Sequence, residues 1–184
     1  VMGMLIAHSG AAADLFDVVN RRLRGIPGRL AVATVGGNAI FAAVTGVGVA
    51  AAAAFSHVAY PVMRASHYGK SFATGCIAGS AVLGLLIPPS VFMIVWAILT
   101  EQSVGRLFAA GVFPGLLLAA FYTLYCVVYA KLNPQEAPEP DVSADAKPSG
   151  SVVGVIYVGL LIGVTLGGIW FGFFTPTEGS AVGM

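Results

Sequence analysis

The sequence is short of charged side chains, and those it has avoid its long apolar stretches. Asp, Glu, Lys and Arg make up 9% of the 184 residues, whereas a soluble domain carries roughly a quarter. Between Leu30 and Thr100 the only ones are Arg64 and Lys70. With 58% hydrophobic residues and a mean hydropathy of +0.89, the composition indicates an integral membrane protein embedded in a lipid bilayer.

The sequence also lacks the patterns that catalysis and metal binding require. It contains no zinc-ligand spacing, no nucleophile elbow and no phosphate-binding loop. Cys76 and Cys126 both lie in apolar segments, and we expect buried free thiols rather than a disulfide. A net charge of +1 provides no basic surface for nucleic acid. We therefore expect neither an enzyme nor a nucleic-acid-binding protein, and no cofactor.

A double proline interrupts an apolar run, 72–99, that is long enough to cross a membrane. Because proline has no N–H, Pro88 and Pro89 deprive the carbonyls of Gly84 and Leu85 of their helical donors. A helix broken inside a membrane is tolerated only where it is packed in protein or lines a polar cavity. Since secondary transporters bind ions and substrates at such breaks, the pattern predicts a transport site. The alternative is a kink repaired by a neighbouring hydroxyl or a water molecule.

The basic residues predict a re-entrant helical hairpin over about 30–60. Six of the nine Lys and Arg lie in the polar loops on either side, 14–29 and 61–70, and both loops should face the cytoplasm. The segment must then turn back, at residues 45–48. Two arms of about 14 residues reach about 21 Å, short of the roughly 30 Å hydrocarbon core. One long tilted helix over 31–57 is the alternative.

The rest of the chain predicts a multi-pass topology. The broken helix, about 71–100, crosses outward, and an apolar helix over about 106–130 crosses back. Residues 131–150, rich in Pro, Ala, Ser and acidic residues, form a cytoplasmic linker, and a helix over 152–172 crosses outward again. Residues 175–178 resemble the start of another helix. Because both chain ends lie in apolar runs, we expect a part of a larger protein.

The hairpin tip and the proline break both supply neutral oxygen atoms near the middle of the membrane. Residues 45–48 provide a hydroxyl and glycine backbone that permits close approach, although a plain glycine turn is the simpler interpretation. Residues 84–90 provide freed carbonyls, the Ser90 hydroxyl and the positive end of a half-helix that could face a carboxylate. Because no carboxylate lies in this region, sodium held by neutral oxygens fits better than a proton as the coupling ion.

Several stretches together resemble the large membrane subunit of tripartite ATP-independent periplasmic (TRAP) transporters, the DctM type. Their order and spacing cover nearly the whole chain except the linker. The stretches are Leu30–Gly46, Pro61–Arg64, Tyr68–Gly69, Gly84–Ser90, Leu99–Phe108, Ala110–Gly115 and Phe174–Glu178.

The resemblance implies an all-α integral membrane fold of the elevator type, like that of the ion transporter superfamily. Such a fold has two inverted repeats, each with a re-entrant hairpin and a broken helix. Residues 1–130 would form the first repeat, and 151–184 would begin the second. The implied function is sodium-coupled uptake of organic acids such as C4-dicarboxylates across the bacterial inner membrane. The implied partners are a small DctQ-type membrane subunit and a periplasmic DctP-type solute-binding protein.

The resemblance also implies that ion and substrate bind between the hairpin tip and the broken helix. The matching positions are Thr45, Gly46, Val47, Gly48, Gly84, Ile87, Pro88, Pro89 and Ser90. The expected sodium ligands among them are Thr45, Gly46, Gly84 and Ser90. The family tip is usually Ser-Gly-Ser, but Val47 has no hydroxyl. Backbone ligation, weaker sodium affinity and a different coupling ion therefore remain open.

Two other functions fit the same residues. One is a stand-alone ion-coupled elevator carrier for carboxylates, which needs no binding protein. The other is a truncated membrane scaffold that does not transport.

Overall fold

The structure, a computed structural model, is helical throughout its described part. It describes residues 11–23 and 25–138, together with 156, 159, 160, 163, 164, 167, 168, 171 and 173. No strand occurs among these residues, which fits the predicted all-α class. The helices of the continuous part are α1 Ala11–Arg22, α2 Arg29–Thr45, α3 Gly48–Ala65, α4 Lys70–Ala81, α5 Leu83–Leu86, α6 Val91–Leu99 and α7 Val104–Leu132.

Helix α1 corrects the prediction of a polar loop over 14–29. Besides its charged residues, this helix has an apolar face, on which Leu15 and Phe16 are each 1% exposed. A Cβ on Gly37 would lie 3.8 Å from the Phe16 Cα, so this face packs against α2. The apolar spacing of three and four residues stabilises a helix through burial, which outweighs the loop-like composition.

The segment predicted as a hairpin consists of two antiparallel helices. The rings of Phe41 and Phe55 pack edge to face, with their centroids 6.0 Å apart. At the end of the hairpin away from the tip, Thr34 Oγ1 lies 3.7 Å from Met63 Sδ. Helix α3 continues past Pro61 to Ala65, so the predicted loop start at Pro61 is wrong. Proline removes one helical hydrogen bond, and packing of α3 on its neighbours compensates for that loss.

The broken segment consists of α4, α5 and α6. The helix axis bends by 41° between its two halves, Lys70–Leu86 and Val91–Leu99. Helix α7, at 29 residues, is long and apolar enough to cross a membrane alone, and the broken unit qualifies as a second span if its halves are counted together. The exposed apolar side chains of α7, such as Phe113 and Phe121, are compatible with contact with lipid.

Helix α2 lies at the centre of the fold, because α1, α3, α4 and α7 all pack around it. After α7, residues 133–138 turn back toward α4, and the Gly69 N–H donates to Glu136 O at 2.8 Å. The rest of the predicted linker, most of the predicted helix over 152–172 and the helix start at 175–178 lie outside the described residues.

Candidate functional site at the hairpin tip and the proline break

The hairpin tip is a tight turn whose conformation depends on Gly46. Thr45 ends α2, and Gly46 follows with φ 64° and ψ 10°, a left-handed conformation that glycine adopts without a side-chain clash. The Gly46 N–H donates to Ala42 O at 2.8 Å, which closes the last turn of α2. Val47 is extended, and α3 begins at Gly48. Two helix ends of opposite polarity therefore lie next to each other at the tip.

The break follows α5. Ile87 is extended, with φ −78° and ψ 118°, and Ser90 is the N-cap of α6. The peptide bond between Pro88 and Pro89 is cis. The end of the first half-helix and the start of the second are thus separated by four residues of non-helical backbone.

Both candidate hydroxyl groups form local hydrogen bonds. Thr45 Oγ1 donates to Phe41 O at 3.1 Å. Ser90 Oγ donates to Leu85 O at 3.0 Å and accepts from the Met93 N–H at 3.5 Å. Leu85 O is one of the two carbonyls that the prolines deprive of a helical donor, so Ser90 repairs that half of the break. Each hydroxyl oxygen retains a lone pair with which it could contact a cation.

The tip and the break are in direct contact. The Gly46 carbonyl accepts a hydrogen bond from the Val91 N–H at 3.2 Å, and a Cβ on Gly46 would lie 2.6 Å from Pro89 O. A Cβ on Gly84 would lie 2.9 Å from the Gly48 nitrogen. Such approaches are possible only between backbones without side chains. The glycines of the two predicted motifs therefore meet at one point.

The charge at this point comes from helix ends, because none of the nine candidate residues is ionisable. The carbonyl ends of α2 and α5 lie beside the amide ends of α3 and α6. Carbonyl ends carry partial negative charge and attract cations, whereas amide ends carry partial positive charge and attract anions. Among the described residues, no group of three His, Cys, Asp or Glu side chains could hold a metal ion. A small cation here would be held by neutral oxygens.

Two candidate side chains offer no oxygen ligand at this contact. Ile87 packs on α7, where a Cβ on Gly115 would lie 3.0 Å from its Cγ1. Val47 is 40% exposed, and its apolar side chain carries no oxygen. Helix α7 supports the break from the other side, since a Cβ on Gly111 would lie 2.8 Å from Leu86 O.

Sequence reasoning missed two contacts between distant residues. Asn38 of α2 donates to Ser80 of α4, with 2.6 Å between Nδ2 and Oγ. Cys76 and Cys126 are buried free thiols, as predicted, but their Sγ atoms lie 3.6 Å apart. The signal for the first contact was a single amide inside an apolar helix, but nothing in the sequence identified its partner.

Comparison with known proteins places the chain among transporter subunits. The family model of the tripartite ATP-independent periplasmic transporter DctM component matches residues 1–184. The C4-dicarboxylate TRAP transporter large permease protein DctM of Pseudomonas aeruginosa is 38% identical over 98% of the chain. The ectoine large permease TeaC of Halomonas elongata is 33% identical over 96%. The isethionate permease DctMQ of Oleidesulfovibrio alaskensis is 32% identical over 98%.

These relatives are longer than the chain. The matched region covers 42%, 41% and 28% of their lengths, respectively. The chain thus spans less than half of the relatives, but the family model matches it from end to end. It belongs to the DctM family, the large permease component of tripartite ATP-independent periplasmic transporters.

Proposed function

We propose that these residues form one half of a sodium-coupled transport site, and that the permease containing them takes up a small organic acid. The observation that carries the proposal is the contact between hairpin tip and break, with the Gly46 carbonyl bound to the Val91 N–H. It brings glycine backbone, two hydroxyls and four helix ends to one place in an apolar protein.

The ion side of the proposal depends on oxygen chemistry. Sodium is a hard cation that suits hydroxyl and carbonyl oxygens. The proposed ligands are Thr45, Gly46, Gly84 and Ser90. Because none of them is ionisable, the ion would be held without a titrating group, which argues against proton coupling at this half-site.

The substrate side depends on the amide ends of α3 and α6. The relatives are named for C4-dicarboxylate, ectoine and isethionate, and each of these compounds carries a carboxylate or sulfonate group. An anionic group would be attracted to the amide ends near Gly48 and Val91. The class of substrate is thus a small organic acid, with a C4-dicarboxylate as the first candidate.

The proposal includes the arrangement of the whole transporter. The hairpin and broken helix would form the first of two inverted repeats in a multi-pass, elevator-type permease of the bacterial inner membrane. Its partners would be a small membrane subunit and a periplasmic solute-binding protein, in keeping with the word tripartite in the family name.

Uptake into proteoliposomes tests the proposal. Vesicles would contain the full-length permease and its small subunit, with the binding protein outside and radiolabelled succinate as the first substrate. We expect uptake only when both an inward sodium gradient and the binding protein are present. Uptake without the binding protein would instead indicate a stand-alone carrier. Absence of uptake across a panel of organic acids would favour a scaffold that does not transport.

Three serine and threonine variants test the assigned ligands. Thr45→Ala and Ser90→Ala should each raise the sodium concentration for half-maximal uptake by roughly 10- to 150-fold, because a contact with a charged group is worth about 1.5–3 kcal/mol. Ser56→Ala is the control, since its exposed hydroxyl donates to Ala52 O within α3. Equal, negligible effects of all three variants would remove Thr45 and Ser90 from the ion site.

A further inference from the structure

A buried polar contact links the first arm of the hairpin to the first half of the broken helix. Asn38 Nδ2 donates to Ser80 Oγ at 2.6 Å and to Ile77 O at 3.3 Å. Both side chains are 0% exposed. Ser80 Oγ in turn donates to Cys76 O at 2.6 Å. We call the contact between Asn38 and Ser80 the amide bridge.

The amide bridge is the first of three contacts that run along α2 and the broken helix in the same direction. One turn further along, a Cβ on Gly84 would lie 3.3 Å from the Ala42 Cβ. Another turn further along α2, and beyond the break in the other element, the Gly46 carbonyl accepts from the Val91 N–H. The two elements are therefore parallel, and any slip between them at the bridge would be transmitted to the tip, roughly 12 Å away.

Apolar contacts alone would hold this register weakly. At the contacts nearer the tip, Ala42, Gly46 and Gly84 are too small to distinguish one alignment of the two helices from the next. The amide bridge does distinguish them, because a slip would leave both Asn38 and Ser80 buried without each other, and buried polar groups without partners are costly. A single buried amide sets helix register in this way in other helical assemblies.

The bridge also carries a cost that an apolar pair would avoid. Among the described residues, the buried Asn38 Oδ1 has no hydrogen-bond partner. Turning the amide over would leave Nδ2 in the same position, so one polar atom is unsatisfied in either orientation. Two apolar side chains of similar size would have no such cost. Accurate alignment of the helices is the benefit that can offset it.

We propose that Asn38 is a positioning residue, which acts through Ser80 to fix the register of α2 on α4 and so holds Gly46 against the proline break. Asn38 touches neither ion nor substrate in this role. The inference deepens the proposed function, because the element that it positions is the proposed ion site.

A distance measurement tests the register directly. In the full-length permease with Cys76 and Cys126 replaced by alanine, spin labels would be attached at Val49 and Phe92, which are 81% and 60% exposed. Pulsed electron paramagnetic resonance would then report the distance between tip and α6. We expect a single narrow distribution, which broadens or splits when Asn38→Leu is introduced. An unchanged narrow distribution in this variant would overturn the inference.

Two further variants separate positioning from general destabilisation. Ser80→Ala removes the other half of the bridge with a smaller change of volume, and should broaden the distribution as well. Thr34→Val is the matched control, because Thr34 is also 0% exposed on α2, but its hydroxyl donates to Leu30 O in its own helix and contacts Met63 of α3 rather than the broken helix. Broadening by Thr34→Val equal to that by Ser80→Ala would also overturn the inference.

Transport provides the functional readout. Asn38→Leu should raise the sodium concentration for half-maximal uptake about three- to tenfold. One missing hydrogen bond lowers the population of correctly aligned protein by about this factor. The maximal rate of uptake should remain largely intact. Adding Ser80→Ala should cause little further change, because both residues serve one contact.

If the unmodified permease needs no sodium, the proposed function fails, and the distance measurement still decides the role of Asn38. Sodium-dependent uptake that is unaffected by Asn38→Leu would overturn the inference alone.

Discussion

Replacing Gly46 by alanine is the sharpest test of the contact between tip and break. Gly46 has φ 64°, and this left-handed conformation costs a residue with a Cβ about 1–2 kcal/mol. That amount alone lowers the population of the native tip by about 5- to 30-fold relative to competing conformations. A steric cost is added, because the new Cβ would lie 2.6 Å from Pro89 O. The obstacle is backbone, so no rotamer change can relieve it.

We therefore expect Gly46→Ala to abolish most sodium-driven uptake in proteoliposomes. Gly75→Ala in α4 is the control, since a Cβ there would meet nothing within 4 Å, and alanine favours a helix interior by about 1 kcal/mol over glycine. This control should keep full uptake with an unchanged or higher thermal unfolding midpoint. Gly46→Ala with the uptake rate and sodium dependence of the unmodified protein would refute the close contact.

Two other predictions concern contacts that the broken helix makes with its neighbours. Gly84→Ala would place a Cβ 2.9 Å from the Gly48 nitrogen. It should reduce uptake less than Gly46→Ala does, because it disturbs the packing but requires no left-handed backbone. A larger loss of uptake than that of Gly46→Ala would contradict this ranking. Cys76 and Cys126 are 7% and 1% exposed, so a thiol reagent should label both only after unfolding, as followed by mass spectrometry. Rapid labelling of either cysteine in the folded protein would contradict the packing of α4 on α7.

The turn and the break could be predicted from sequence because their causes are local. Glycine permits left-handed backbone and proline removes a donor, whatever surrounds them. Gly46 and the pair Pro88 and Pro89 accordingly interrupt the helices where their residue types indicate. The same local reasoning failed at Pro61, which lies within α3, because packing on neighbouring helices outweighs one lost hydrogen bond.

The α1 helix was missed for a different reason. In a membrane protein, a charged segment is readily interpreted as a solvent-exposed loop, and the charges of 14–29 favoured that interpretation. The deciding signal was the spacing of Leu15, Phe16 and Val19, which places them on one helical face. That spacing is present in the sequence, and burial of the apolar face outweighs the charges around it.

The amide bridge and the cysteine pair could not be predicted in the same way. They join residues 42 and 50 positions apart, respectively. Such pairs depend on the register in which one helix packs on another, and the small residues on these surfaces allow several registers. Composition and periodicity define which face of a helix is buried, but they do not define which residue it meets.

The parallel course of α2 and the broken helix has an electrostatic consequence. Antiparallel helices partly cancel each other's dipoles, whereas parallel helices bring ends of like charge together. Here the carbonyl ends of α2 and α5 lie together, and donors compensate some of the carbonyls: the Val91 N–H that of Gly46, and the Ser90 hydroxyl that of Leu85. A cation at the remaining carbonyls and an anion at the amide ends of α3 and α6 would each lower the free energy of the arrangement. Under the proposed function, a cation and an anion bound next to each other would each favour binding of the other, which is the coupling that a symporter of sodium and an organic acid requires.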